Sequence, residues 1–158
     1  MNYNLISGFS DEISPMIKEQ FEELNKLGIN YFEPRGIDGK NISKLTEEEM
    51  YTLKATMDEY GIKVSSIGSP VAKIQITEDF EPHMAVLENV VKAAKILGTK
   101  YIRMFSFYHS KDYDWTEEER QEVFRRTQIM IDYAKENDVI LLHENEKGIY
   151  GDTADRCL

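Results

Sequence analysis

The chain has 158 residues, 41% hydrophobic and 30% charged, with 19 basic against 29 acidic side chains and a net charge of −10. One domain spanning 1–158 is expected from that length and from an ordinary globular composition. The acidic balance disfavours phosphate backbones and anionic lipid, and no run approaches the ~20 apolar residues of a membrane span, so neither nucleic acid nor a membrane is expected as a partner.

In chain order, a first strand is expected over Tyr3–Ile6. Ser14-Pro15 supplies an N-cap and a first-turn proline, and Ile17, Phe21, Leu24 and Leu27 follow at helical steps. Leu27-Gly28-Ile29 closes that helix and leads into a strand over Asn30–Glu33. Thr46-Glu47-Glu48-Glu49 fits a capping box for a second helix, which Tyr60-Gly61-Ile62 ends before a strand over Lys63–Ile67. Met84, Leu87, Val91, Ala94 and Leu97 form the stripe of a third helix, closed by Gly98 before a strand over Tyr101–Phe105. Thr116-Glu117-Glu118-Glu119 is a second capping box. Its helix carries Val123, Met130 and Ala134 and ends at Asn137-Asp138, before the strand Val139–His143, whose fully apolar run Val139–Leu142 is expected to be covered on both faces. Thr153–Leu158 reads as the opening of a fifth helix.

The helix–glycine–strand unit therefore recurs every 30–40 residues or so, the size of a βαβ repeat. Alternation of five strands with four to five one-sided helices argues for an α/β fold with a parallel sheet and right-handed crossovers. A complete (β/α)8 barrel needs about 250 residues, so an incomplete barrel or an open wound sheet is expected.

In parallel α/β folds, ligands gather where strands end. The polar residues at those ends are Ser7, Ser10 and Asp11; Glu33 and Arg35; Ser66, Ser69 and Lys73; Ser106, Tyr108, His109, Lys111, Asp112 and Trp115; and the run His143-Glu144-Asn145-Glu146-Lys147. Strand alternation places Ile140, Leu142 and Glu144 on one face and Leu141 and His143 on the other. If Ile140 and Leu142 face the barrel interior, Glu144 stands at its mouth. A carboxylate there needs a compensating cation: either a divalent metal or a side chain such as Lys147, Arg103 or Arg35. Glu33 and Arg103 can form an internal ion pair. Trp115 either walls a sugar pocket or staples the Thr116 cap. His109 is a loop residue that either touches substrate or is solvated. His83 is expected on the surface and His143 facing the helix layer as a hydrogen-bonded core histidine.

Five segments together resemble one family: Ile6-Ser7-Gly8-Phe9-Ser10, Tyr31-Phe32-Glu33, Val64-Ser65-Ser66-Ile67-Gly68, Leu97-Gly98-Thr99-Lys100-Tyr101-Ile102-Arg103 and Leu142-His143-Glu144-Asn145. In order and spacing the chain resembles the first part of a sugar isomerase/epimerase with the xylose isomerase-like TIM barrel. That resemblance implies a small sugar or sugar phosphate as substrate, and one or two divalent metals (Mn, Mg, Co or Zn) at the barrel mouth. It places Glu144 at the strand-five metal-ligand position, with a second role as a proton-transfer catalytic carboxylate. Glu33, His109, Trp115 and Glu146 are then the substrate-binding candidates.

The family's remaining ligands come from strands six to eight, which this sequence lacks. The chain by itself is therefore expected to be inactive and to bind metal weakly or not at all. Two alternatives compete: a nuclease of the AP endonuclease type, disfavoured by the charge of −10, and a non-catalytic assembly module. Exposed sheet edges predict a homo-oligomer. The lone Cys157, and the absence of a basic start and apolar run in Met1–Ser10, predict a cytoplasmic protein.

Overall fold

The computed structural model describes residues 6–109 and 114–157. The strand expected over Tyr3–Ile6 lies outside them apart from Ile6, as do the loop positions Lys111 and Asp112. The elements run α1 (Ile17–Lys26), β1 (Tyr31–Phe32), β2 (Gly36–Ile37), β3 (Lys40–Asn41), α2 (Glu47–Tyr60), β4 (Lys63–Val64), β5 (Ile67–Val71), α3 (Glu81–Leu97), β6 (Tyr101–Met104), α4 (Glu117–Glu136), β7 (Ile140–His143) and α5 (Ala154–Cys157).

Every pairing between successive repeats is parallel. β1 pairs with β4 through Phe32 and Val64, β5 with β6 through Ile67 and Ile102, and β6 with β7 from Tyr101–Ile140 to Met104–His143. Ahead of α1, the Gly8 carbonyl accepts the Glu33 N–H at 2.9 Å, so that segment runs beside β1. Each repeat thus lies next to its predecessor, the neighbour order of a (β/α) barrel, and the sheet remains open among the described residues.

The third repeat's strand differs from the expected Lys63–Ile67. It breaks at Ser65–Ser66, its first half pairing with β1 and its second half, extended to Val71, with β6. A break of this kind lets a strand turn with the curvature of a closing sheet.

The helix ends follow local chemistry. Both capping boxes form: the Thr46 and Thr116 hydroxyls accept from the Glu49 and Glu119 N–H groups, and the two glutamates accept from the threonine N–H groups. Gly61 and Gly98 close α2 and α3 with φ of 69° and 85°. At the fourth repeat Asp138 takes the left-handed position, φ 56°.

The start of α1 corrects the sequence reading. Ser14 is not its cap, and Pro15 precedes the helix. The Ile17 N–H donates instead to the Asp38 carboxylate at 3.0 Å, from the β2–β3 hairpin. Leu27, at the C-cap and 63% exposed, falls off the buried stripe because the helix has ended.

The core lies between the helices and the outer face of the sheet. Phe21, Phe32, Met50, Ile67, Leu87, Ile102 and Met130 are fully enclosed. Two further expectations are corrected. His83 is buried, not on the surface, because the first turn of α3 packs over the end of β5. The apolar run Ile140–Leu142 is covered on one face only, with Ile140 and Leu142 exposed.

Candidate functional site at the strand ends

The β6–β7 register decides which side chains meet. Residues paired across a parallel ladder share a face, so Tyr101 goes with Ile140 and Arg103 with Leu142, while Ile102 and Met104 go with Leu141 and His143. The second set faces the helices: Ile102 and Met104 are buried, and His143 hydrogen-bonds Ser106 Oγ at 3.0 Å. His143 is on the helix-facing side and hydrogen-bonded as expected, but it is exposed and not part of the core, because among the described residues no helix covers the end of β7 there. The first set faces inward, and Glu144 continues it. Its N–H donates to the Met104 carbonyl at 2.9 Å, extending the ladder past β7.

At that rim Glu144 meets a side-chain cation. Arg103 Nη1 donates to Glu144 Oε2 at 3.3 Å. The guanidinium is 12% exposed and lies between two aromatic rings, 4.8 Å from the centre of Phe9 and 4.9 Å from that of Phe105. It also donates to the Gly68 and Ser69 carbonyls, both at 3.3 Å. Gly68 is required there, since a Cβ would stand 2.8 Å from the Phe9 ring.

Glu33 faces the same guanidinium from the end of β1. Burial pushes its carboxyl above the usual carboxylate range. Arg103 and a hydrogen bond from Ser7 oppose that rise, and the Glu144 charge adds to it. Arg103 therefore answers two carboxylates, with little solvent to share the work.

A second polar unit adjoins the first. Lys73 Nζ donates to Glu146 Oε2 at 2.8 Å, and the Tyr108 hydroxyl donates to Glu146 Oε1. These two hydrogen bonds, Lys73's first, hold the Glu146 carboxyl below its usual range. Lys73 also lies 4.5 Å from the centre of the Phe105 ring, so both cations contact that ring.

His109 and Trp115 lie elsewhere. The His109 ring is 4.7 Å from Trp115 and 3.3 Å from Glu119 in the first turn of α4, and Trp115 packs edge-on against Tyr150. They tie the loop after β6 to α4 and stand apart from Glu144. The structure brings together Glu33, Glu144 and Glu146, and adds Arg103, Lys73, Phe9 and Phe105. The sequence offered Arg103 as a partner for Glu33 or for Glu144, and the structure sets it against both.

Among the described residues, no three His, Cys, Asp or Glu side chains converge as a metal site. The Glu144 carboxylate, moreover, has a guanidinium 3.3 Å away. The residues present do not form a divalent-cation site, and Glu144 offers a single ligand.

A family model described as xylose isomerase-like TIM barrel matches residues 21–158. No curated protein matches the sequence. Among solved structures, a xylose isomerase-like TIM barrel protein from Mycobacterium smegmatis in complex with magnesium is 14% identical, with a TM-score of 0.74 over 99% of this chain and 59% of its own. The probable 3-DHS dehydratase AsbF of Bacillus anthracis, involved in petrobactin synthesis, is 17% identical, with a TM-score of 0.74 over 97% of this chain and 57% of its own. D-psicose 3-epimerase with D-tagatose from Clostridium cellulolyticum H10 is 15% identical, with a TM-score of 0.66 over 95% of this chain and 56% of its own. The chain therefore spans less than two-thirds of each of these structures.

Proposed function

The chain belongs to the xylose isomerase-like TIM barrel family, and from that premise we propose that its strand-end rim is the proton-transfer half of a sugar or sugar-phosphate isomerase or epimerase site. One observation supports this reading above the others: Arg103 is held between Glu33 and Glu144 at the inner ends of parallel strands. Interconverting an aldose and a ketose, or two epimers, needs a carboxylate to take a proton from the carbon beside a carbonyl. It also needs a positive group where the enediolate oxygen develops.

Glu144 is the proton-moving carboxylate of this proposal. Arg103 supplies the fixed positive charge, preorganised by the Phe9 and Phe105 rings. Glu33, facing the same guanidinium from the end of β1, accepts from a sugar hydroxyl. Glu146, oriented by Lys73 and Tyr108, accepts from sugar hydroxyls. Trp115 and His109 act one layer back, fixing the loop that bears Tyr108.

A divalent metal, when bound, would polarise adjacent sugar oxygens. The described residues do not form a site for it, and no step of this reading passes through it. A cytoplasmic setting agrees with its lone cysteine. The exposed Ile140 and Leu142 on β7 support self-association through that strand.

Solvent-deuterium exchange into free and phosphorylated ketohexoses, followed by proton NMR with Mg2+ or Mn2+ present, tests the reaction. We expect exchange by the complete product of the gene, and a loss of about 100-fold or more in Glu144→Gln with the melting temperature unchanged. Exchange that survives Glu144→Gln, or no exchange with any ketose, overturns the proposal.

A further inference from the structure

The backbone leaving β5 turns through a conformation that its residue does not favour. Ala72 is fully buried with φ of 60°, in the left-handed region where a Cβ crowds the following carbonyl. Such a kink persists only where its surroundings over-determine it. Two hydrogen bonds hold it. The Ala72 carbonyl accepts the Phe107 N–H at 2.9 Å, and the Ala72 N–H donates to His83 Nε2 at 2.6 Å.

The second bond is unusual in its acceptor. A helical side chain 11 residues further along the chain takes a backbone proton that a sheet ladder would otherwise take. His83 is 7% exposed, on the first turn of α3. Only an unprotonated Nε2 can accept, so its proton must reside on Nδ1. Burial keeps the ring neutral; Arg126 reinforces this and Glu78 opposes it.

The residue after the kink is Lys73, whose Nζ reaches Glu146 at 2.8 Å and stands over the Phe105 ring. We infer that His83 is a positioning residue: by accepting the Ala72 N–H it holds the left-handed turn that aims Lys73 at Glu146 on the strand-end rim. The inference goes beyond the proposed reaction and does not depend on it, because its test reads the lysine rather than turnover.

Two variants separate positioning from simple core filling. His83→Gln places an amide oxygen where Nε2 accepts, whereas His83→Leu fills the space without an acceptor. The acylation rate of each lysine by acetic anhydride is read by mass spectrometry, with Lys92, Lys100 and Lys135 as internal references. In His83→Leu, Lys73 should gain reactivity by about two- to fivefold relative to those references, the worth of one exposed ion pair. In His83→Gln it should remain at the wild-type rate.

Nitrogen-15 NMR of the wild-type imidazole at pH 8 should show Nε2 unprotonated and Nδ1 carrying the proton. An unchanged Lys73 in a folded His83→Leu, an equal rise in both variants, or a proton on Nε2 overturns the inference. Should His83→Leu fail to fold, the tautomer and the His83→Gln rate decide it.

Discussion

Arg103 is the residue on which the rim's charges depend. Its guanidinium faces Glu33 and Glu144 while nearly enclosed, so removing it leaves two carboxylates with a low-dielectric neighbour and no cation. Arg103→Met should destabilise the fold at pH 7 by about 1–3 kcal/mol in urea unfolding. The sign of its pH dependence follows from Glu33. A carboxyl whose folded-state pKa is raised stabilises the fold fully below its unfolded pKa, and loses that contribution as pH rises through the folded one. The deficit of Arg103→Met should therefore shrink as the buffer is taken from pH 7 toward pH 4, where Glu33 is protonated. A deficit that is constant with pH would show that Arg103 acts through packing on Phe9 and Phe105 alone.

Glu144 could be grouped with Ile140 and Leu142 on one face from strand alternation, because a period of two along a strand is a local property, whereas the burial of Ile102 and Met104 on the other face shows that this one is inward. The cation partner of Glu144 could not be read locally. Lys147, Arg103 and Arg35 were equal candidates in sequence. The β6–β7 register selects Arg103, while Arg35 is engaged by Asp11 at 2.8 Å and by Glu12. His83 shows the opposite failure: its place at the polar start of a helix reads as surface, and only the packing of that turn over Ala72 buries it.

At the scale of elements, the helices were legible where their chemistry is internal to the segment. Both T-x-x-E boxes and the glycine caps form within four residues of their own helix. The cap of α1 was missed because its acceptor, Asp38, lies 21 residues away in sequence. The β2–β3 hairpin was missed as well, although Asp38-Gly39 is a two-residue turn with both φ values positive, at 48° and 78°, and that dipeptide is a strong hairpin signal.

On α4, Glu122 is clamped by Arg125 and Arg126, each at 2.7 Å, and Arg126 is buried against Phe80 and Phe107. The hydrogen bond from Arg125, helped by Arg126 and opposed by partial burial, brings the Glu122 carboxyl from 4.5 to about 2. A lowered carboxyl stabilises the fold above its unfolded pKa, and that contribution drains away as pH falls through the folded value. Melting temperatures of wild type and Glu122→Gln should therefore converge as pH falls from 4.5 to about 2. Parallel curves across that window would mean the clamp contributes nothing to stability.

At the scale of the molecule, the inner sheet face sets the behaviour. Tyr101, Ile140 and Leu142 share that face and are 47%, 48% and 42% exposed, a contiguous apolar strip below the charged rim. Light scattering after size-exclusion chromatography should show mass rising with concentration in the wild type. Leu142→Lys, which places a charge within the strip, should remain monomeric at the same concentrations. A wild type that is monomeric throughout removes self-association from the proposal.

The sequence by itself determined the repeat, the T-x-x-E and glycine caps, the parallel alternation and the sharing of one strand face by Ile140, Leu142 and Glu144. All of these follow from periodicities and hydrogen bonds that close within a few residues. Only the tertiary structure decided that Arg103 stands between Glu33 and Glu144, that Lys73 is turned toward Glu146, and that His83 lies beneath that turn. Those contacts join residues 11 to 73 positions apart, and their geometry depends on strand register and on the angle at which helices cover the sheet. Neither quantity is written in any local pattern, because both are settled by how the whole core packs.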